Sequence, residues 1–212
     1  MPSCVIFCAG EFDGLLRPIQ PQDYILAADG GLTHLKQLHV TPHQVLGDFD
    51  SLGYTPAGAT GFPVEKDDTD SMLAIRQGLS LGYDRFILYG CLGGKRLDHT
   101  IANLQALEFL AQQGGQGVLV GKDQLVTVVR NGSLRFHAGA TGVISLFCMG
   151  ADAEGVTLEG LQYPLEKSTL TAGFPLGVSN HFTGSAARIT VEKGSLLAVF
   201  DRENHIYCED LL

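Results

Sequence analysis

Seven aspartates between positions 29 and 98 fall in four short motifs. These are Ala28-Asp29-Gly30-Gly31, Gly47-Asp48-Phe49-Asp50-Ser51, Lys66-Asp67-Asp68-Thr69-Asp70 and Gly93-Gly94-Lys95-Arg96-Leu97-Asp98-His99. Carboxylates gathered in one place repel unless a cation lies between them, and hard oxygen ligands are what Mg²⁺ selects while it retains sites for water or phosphate. The interleaved glycines permit close backbone approach, and Lys66, Lys95 and Arg96 supply positive charge for a polyphosphate. Together they point to phosphoryl-type chemistry.

Each motif also has an ordinary structural use. Asp48, Asp50 and Ser51 can form an Asx turn with a capping serine. Lys66 to Asp70 opens a helix, where Asp and Thr serve as N-caps and acids favour the helix dipole. Three acids beside a lysine nonetheless exceed what one cap requires. Gly93-Gly94-Lys95-Arg96 is not a Walker A loop: Tyr89 stands where its first glycine is required, and Arg96 replaces the Ser/Thr. Arg96 can hold a phosphate bidentately, or pair locally with Asp98 at a helix start. His39 and His43 are four apart, but Pro42 breaks any helix that would align them as zinc ligands. No nucleophile elbow is present.

These motifs need strand ends to carry them. Short β-rich runs at Cys4–Cys8, Tyr24–Ala28, Gln44–Gly47, Phe62–Val64, Arg85–Tyr89 and Gly117–Val120 alternate with helical stretches. Helices are expected at Leu32–Leu38, at Asp70–Leu81 with Met72, Ile75 and Leu79 on one face, and along Ile101, Leu104, Leu107 and Leu110 up to Gly114-Gly115. That alternation predicts an α/β domain, a mainly parallel sheet with helices on both faces, whose ligands bind beyond the carboxyl ends of the strands. All four aspartate motifs fall at that end. Beyond Lys122 the helical signal disappears. Runs at Leu125–Val129, Leu134–His137, Val143–Phe147, Gly155–Leu161, Ala187–Val191 and Ser195–Phe200, punctuated by glycine turns, predict an all-β antiparallel sandwich or partial barrel. The expected domains are residues 1–123 and 124–212.

The 212 residues suffice for real cores, and 45% hydrophobic with 17% charged residues is the balance of a folded chain rather than a disordered one. With 14 basic against 23 acidic residues the net charge of −9 disfavours nucleic acid and anionic membranes, and suits a cationic small substrate. Five scattered cysteines, an odd number without a Cys-x-x-Cys pair, read as buried thiols in a reducing compartment. The first residues run straight into Cys4–Cys8 without a basic leader or a membrane-length apolar stretch, so a cytoplasmic location is expected.

In order and spacing the four motifs resemble those of the thiamine pyrophosphokinase (thiamine diphosphokinase) family: an Asp-Gly-Gly turn, Gly-Asp-x-Asp-Ser, Lys-Asp-x-Thr-Asp and Gly-Gly-x-Arg-x-Asp-His. Gly177-Val178-Ser179-Asn180 matches the family's Ser-Asn segment, so the resemblance spans nearly the whole chain. It implies an ATP- and Mg²⁺-binding catalytic domain, a β-sandwich that holds thiamine, and a homodimer with the active site at the interface. The implied reaction moves the pyrophosphoryl group of ATP to the hydroxyethyl oxygen of thiamine and releases AMP. The resemblance assigns Mg²⁺ to Asp48, Asp50 and Asp70, with Asp98 and Arg96 completing the catalytic set. Asp29, Gly30, Gly31, Lys66, Asp67, Gly94, Arg96 and His99 fall to ATP, and Ser179, Asn180 and Phe182 to thiamine. The chain has no Trp, so the aromatic stacking some family members use would pass to Phe182 or His181. Two other readings fit the same residues: pyrophosphoryl transfer to another small alcohol such as a pterin, and a non-catalytic thiamine or nucleotide sensor.

Overall fold

The computed structural model describes residues 2–47, 60–61, 68–209 and 211. Two units divide the chain, one of Met1–Leu110 with Gly114–Lys122 and one of Ala111–Gln113 with Asp123–Leu212. In the first, β1 (Cys4–Phe7), β2 (Tyr24–Ala28), α1 (Leu32–Gln37), β3 (Gln44–Gly47), β4 (Thr60–Gly61), α2 (Asp70–Ser80), β5 (Arg85–Tyr89), α3 (Leu97–Gln112) and β6 (Gln116–Val120) follow one another. The strands lie in the order β4-β3-β2-β1-β5-β6, every pair parallel. Cys4 to Phe7 and Phe86 to Tyr89 are at most 1% exposed, the continuous burial of strands covered on both faces. The expected strand at Phe62–Val64, fourth in chain order, lies outside the described residues.

Cys4 and Phe86 share a face of the sheet, and α2 lies on it through Gly78. A Cβ on Gly78 would sit 2.4 Å from the Phe86 ring and 2.8 Å from Cys4 Sγ. Gly117, in register with Phe86, is equally close to Leu107 and Leu110 of α3. The opposite face carries Phe7 stacked on Tyr89 with centroids 4.9 Å apart, Phe12 against both, and His34 of α1 against Phe12. The connection from β1 to β2 is fastened by Asp23, whose carboxylate accepts from Arg17 at 2.7 and 3.0 Å and from the Ser3 and Gln20 N–H groups. Burial pushes the Asp23 carboxyl up, but those hydrogen bonds outweigh it and hold the group below its ordinary range.

The helix ends agree with the sequence pattern better than the helix faces do. α2 buries Ser71, Ala74, Ile75 and Gly78, while Met72 and Leu79 are half-buried. Small residues let the helix axis approach the sheet, so the larger side chains sit at the flanks of the contact. On α3, Leu107 and Leu110 are buried but Ile101 is 51% exposed, and the helix begins at Leu97, itself exposed.

The second unit holds β7 (Gln124–Arg130), β8 (Ser133–Phe136), β9 (Val143–Cys148), β10 (Ala153–Glu159), β11 (Leu165–Leu170), β12 (Asn180–His181), β13 (Ala187–Thr190) and β14 (Ser195–Asp201). They form two antiparallel four-stranded sheets, β12-β9-β14-β7 and β11-β10-β13-β8. Phe136 of one sheet meets Phe200 of the other edge-on at 5.1 Å and Phe182 at 4.8 Å, so the sandwich core lies between the sheets. The pattern gave no sign of β11, an edge strand of Glu, Lys, Ser and Thr that buries little, or of the two-residue β12. Cys4, Cys8 and Cys91 are buried thiols as expected, whereas Cys148 and Cys208 are half-buried. No helix among the described residues is long and apolar enough to cross a membrane.

Gly78→Ala sets helix propensity, a gain of about 1 kcal/mol, against overpacking on Phe86 and Cys4, a cost of about 1–3 kcal/mol. Neither ring nor sulfur is a flexible chain end, so overpacking wins. A net loss of about 1 kcal/mol is expected as a lower urea midpoint at unchanged slope.

Candidate active site

Because every strand of the first unit is parallel, Ala28, Gly47 and Tyr89 all end at one edge of the sheet, and the motifs at Asp29, at Asp48 and at Gly93–His99 follow them in sequence. The backbone at this edge is packed to contact. Gly10 N–H donates to the Gly90 carbonyl at 3.0 Å and Cys8 N–H to the Tyr89 carbonyl at 2.8 Å. A Cβ on Gly90 (φ +69°) would lie 2.3 Å from the Cys8 carbonyl oxygen, and one on Gly31 only 1.8 Å from that of Phe7. Asp29 opens a 3₁₀ turn through Gly31 with φ +48° and is buried. A Cβ on Gly47 would press 3.1 Å from its Cα. The sequence therefore places a carboxylate in a backbone cradle that only glycines permit.

Asp48, Asp50, Lys66 and Asp67 lie outside the described residues. Asp70 is half-buried and is the first residue of α2; Thr69, just ahead of it, is the N-cap, its Oγ1 accepting from Met72 N–H at 3.3 Å. The capping role expected somewhere in this motif belongs to Thr69. Asp68 pairs with Arg76 at 2.9 Å, and the Arg76 guanidinium also lies 4.7 Å from the Phe109 ring centroid. Gly93 and Gly94 both take positive φ, 76° and 79°. Beyond them Arg96 grips Asp98 with Nε at 3.0 Å and Nη2 at 2.7 Å. The hydrogen bond from Arg96 holds the Asp98 carboxyl down at about 2. Both side chains are exposed, as are Gly94 and His99.

Sequence reasoning missed the residues that tie these segments together. Ser71 Oγ lies 3.0 Å from Thr69 Oγ1 and donates to Asn103 Oδ1 at 2.7 Å, and Asn103 Nδ2 donates to the Cys91 carbonyl at 2.9 Å. The available signal was Asn103 itself, a poor helix former within an apolar helix. Cys91 offers no nucleophile: its hydrogen bond with the Cys8 thiol, together with complete burial, pushes its own thiol well up.

In the second unit, Ser179 takes φ +59° and is exposed, its N–H donating to Ser145 Oγ at 3.0 Å. Asn180 is 4% exposed. Its Oδ1 accepts from the Tyr163 and His181 N–H groups at 3.0 and 2.9 Å, and its Nδ2 donates to the Tyr163 carbonyl at 2.8 Å. The amide is thus committed to holding the turn that presents Tyr163, a ring 59% exposed. Phe182 is buried against Phe136. The described acids near the strand ends, Asp29, Asp70 and Asp98, are hard oxygen donors of the kind Mg²⁺ takes. No group of three or more metal-ligating side chains occurs among the described residues, so those three do not close a cage by themselves.

The chain matches known proteins along most of its length. The family model described as thiamin pyrophosphokinase, catalytic domain, matches residues 17–118, and that for the vitamin B1 binding domain matches residues 134–196. Thiamine pyrophosphokinase of Bacillus subtilis (strain 168) is 27% identical over 184 residues, covering 82% of this chain and 85% of that protein. The crystal structure of thiamine pyrophosphokinase from Bacillus subtilis has a TM-score of 0.81 at 23% identity, over 95% of this chain and 99% of the other. Yeast thiamin pyrophosphokinase gives 0.74 at 13% identity, over 96% and 88%. The structural likenesses speak for the fold. The two family matches follow each other along the chain, the catalytic one over the parallel-sheet unit and the other over the β unit. With the sequence relative beside them, they establish that the chain belongs to the thiamin pyrophosphokinase family of enzymes.

Proposed function

We propose that this enzyme transfers the pyrophosphoryl group of ATP to the hydroxyethyl oxygen of thiamine, giving thiamine diphosphate and AMP. The observation that carries the reading is the presence on one chain of a catalytic-domain match and a vitamin B1 binding-domain match, each over its own unit. Attack at the β-phosphorus builds negative charge on the phosphate oxygens, so catalysis is positioning with cationic stabilisation. Asp48, Asp50 and Asp70, with Asp98 nearby, would hold Mg²⁺, an assignment their hard oxygen chemistry fits. When bound, the ion neutralises phosphate charge.

Lys66 and Arg96 would meet phosphate oxygens, Arg96 exchanging its grip on Asp98 for the nucleotide. Asp29 and its glycine cradle, with Asp67, Gly94 and His99, would line the nucleotide site. One of the carboxylates, Asp70 or Asp98, would accept the thiamine hydroxyl proton. Ser179 offers its hydroxyl to the aminopyrimidine, and Asn180 acts by fixing the turn. Tyr163 presents the exposed ring that Phe182, within the core, does not. The functional form in this reading is a cytoplasmic homodimer with the active site at the subunit interface.

Incubation with ATP, Mg²⁺ and thiamine should yield AMP and thiamine diphosphate in equal amounts; ADP as the sole nucleotide product would rule the reaction out. Asp48→Asn and Asp70→Asn should each lower kcat by about 10²-fold or more with the melting temperature retained. In an NMR titration of the free protein, Arg96→Gln should return the Asp98 pKa from about 2 towards about 3.9. An unmoved value would remove Arg96 as the cause.

A further inference from the structure

Asp70 opens α2 and Asp98 lies in the first turn of α3, and one amide of α3 ties the start of α2 to the loop between β5 and α3. Asn103, on the second turn of α3, accepts from Ser71 Oγ at 2.7 Å and donates to the Cys91 carbonyl at 2.9 Å. Since a carbonyl can only accept, Cys91 fixes which way the amide points, and Ser71 must then be the donor on its other side. Ser71 is buried and adjacent to Asp70. Cys91 is the last buried residue before the run from Gly93 to His99 turns outward, and two glycines at positive φ give that run little stiffness of its own. The strand side of the loop is held by backbone hydrogen bonds from Cys8 and Gly10. Asn103 supplies the hold towards α2. An asparagine inside a helix gives up propensity that Leu or Ala would provide, and here both ends of its amide go to other segments rather than to its own helix.

We infer that Asn103 is a positioning residue, one that sets the segment bearing Asp70 against the segment bearing Arg96 and Asp98 and thereby tunes divalent cation–nucleotide binding. The inference rests on the reaction proposed above. Residues that orient metal-binding carboxylates from behind change metal affinity or activity by about 10–100-fold when replaced, without touching the ligand.

The test uses Asn103→Leu, similar in volume and better in helix propensity, and Ser71→Ala, which cuts the same link on the α2 side. Binding of a non-hydrolysable ATP analogue is titrated against Mg²⁺ by calorimetry, beside steady-state kinetics and thermal melting. In each variant the Mg²⁺ needed for half-maximal analogue binding should rise by about 10-fold or more, and kcat should fall by a similar factor. The KM for thiamine should stay within about 2-fold, and the double variant should be no worse than the worse single one, since both cut one connection. Folded variants with wild-type Mg²⁺ dependence would overturn the inference, as would independent, multiplying effects. If Asn103→Leu does not fold, Ser71→Ala decides; if neither folds, the link is a stability element and the inference falls. If the wild-type enzyme makes no thiamine-dependent AMP while Asn103→Leu still weakens Mg²⁺–nucleotide binding, the proposed reaction fails and the positioning role is supported.

Discussion

The carboxyl edge of the parallel sheet is assembled by main chain touching main chain. Strand ends in an α/β sheet ordinarily stand about 4.8 Å apart and diverge as they leave the ladder. Here the exits from β1 and β5 stay hydrogen-bonded for two further steps, at 2.8 and 3.0 Å, and the turn after β2 lies on the Phe7 carbonyl. Only residues without a Cβ can occupy positions 10, 31 and 90, so the tightness is written into glycine rather than into packing of side chains. From this follow the burial of Asp29, the left-handed turn it adopts, and the fixed departure of the loop that carries Arg96 and leads into α3 with Asp98.

Against that rigid base the charged groups are held with differing firmness. Asp23 is enclosed and saturated by Arg17 and two backbone donors, and serves only to close its own loop. Arg96 and Asp98 make equally short contacts in open solvent, where such a pair contributes little to stability and can be exchanged for a ligand without disturbing the core. Similar geometry, placed inside or outside the water boundary, produces a fastener in one case and a replaceable partner in the other.

The sequence disclosed much of this, and its failures have physical reasons. Continuous apolar runs located β1, β2, β3, β5 and β6 to within a residue, since a strand covered on both faces has few alternatives. Past Lys122 the loss of helical pattern agreed with the antiparallel β fold found there. The helix faces were misjudged because hydrophobicity ranks Met72 and Leu79 above Ala74 and Gly78, whereas close approach to a sheet favours the small residues. β11 carries no apolar alternation to detect. Asn103 betrayed itself only as a poor helix former, because its value lies in partners 12 and 32 residues away. The backbone-holding role of Asn180 was not visible, because its hydrogen bonds reach to Tyr163, 17 residues away.

The commitment of Asn180 bears on how acceptor preference can change in such an enzyme. A buried side chain whose amide already holds the backbone at 163 and 181 is costly to replace, so variation there costs folding before it alters choice. Neighbouring Ser179 and Tyr163 are exposed and owe the core little. In the reaction proposed above, libraries built to shift the preferred alcohol should randomise 163 and 179 and keep 180 constant. In a natural lineage the same asymmetry would let the two outer positions drift while the asparagine between fold and ligand stays put.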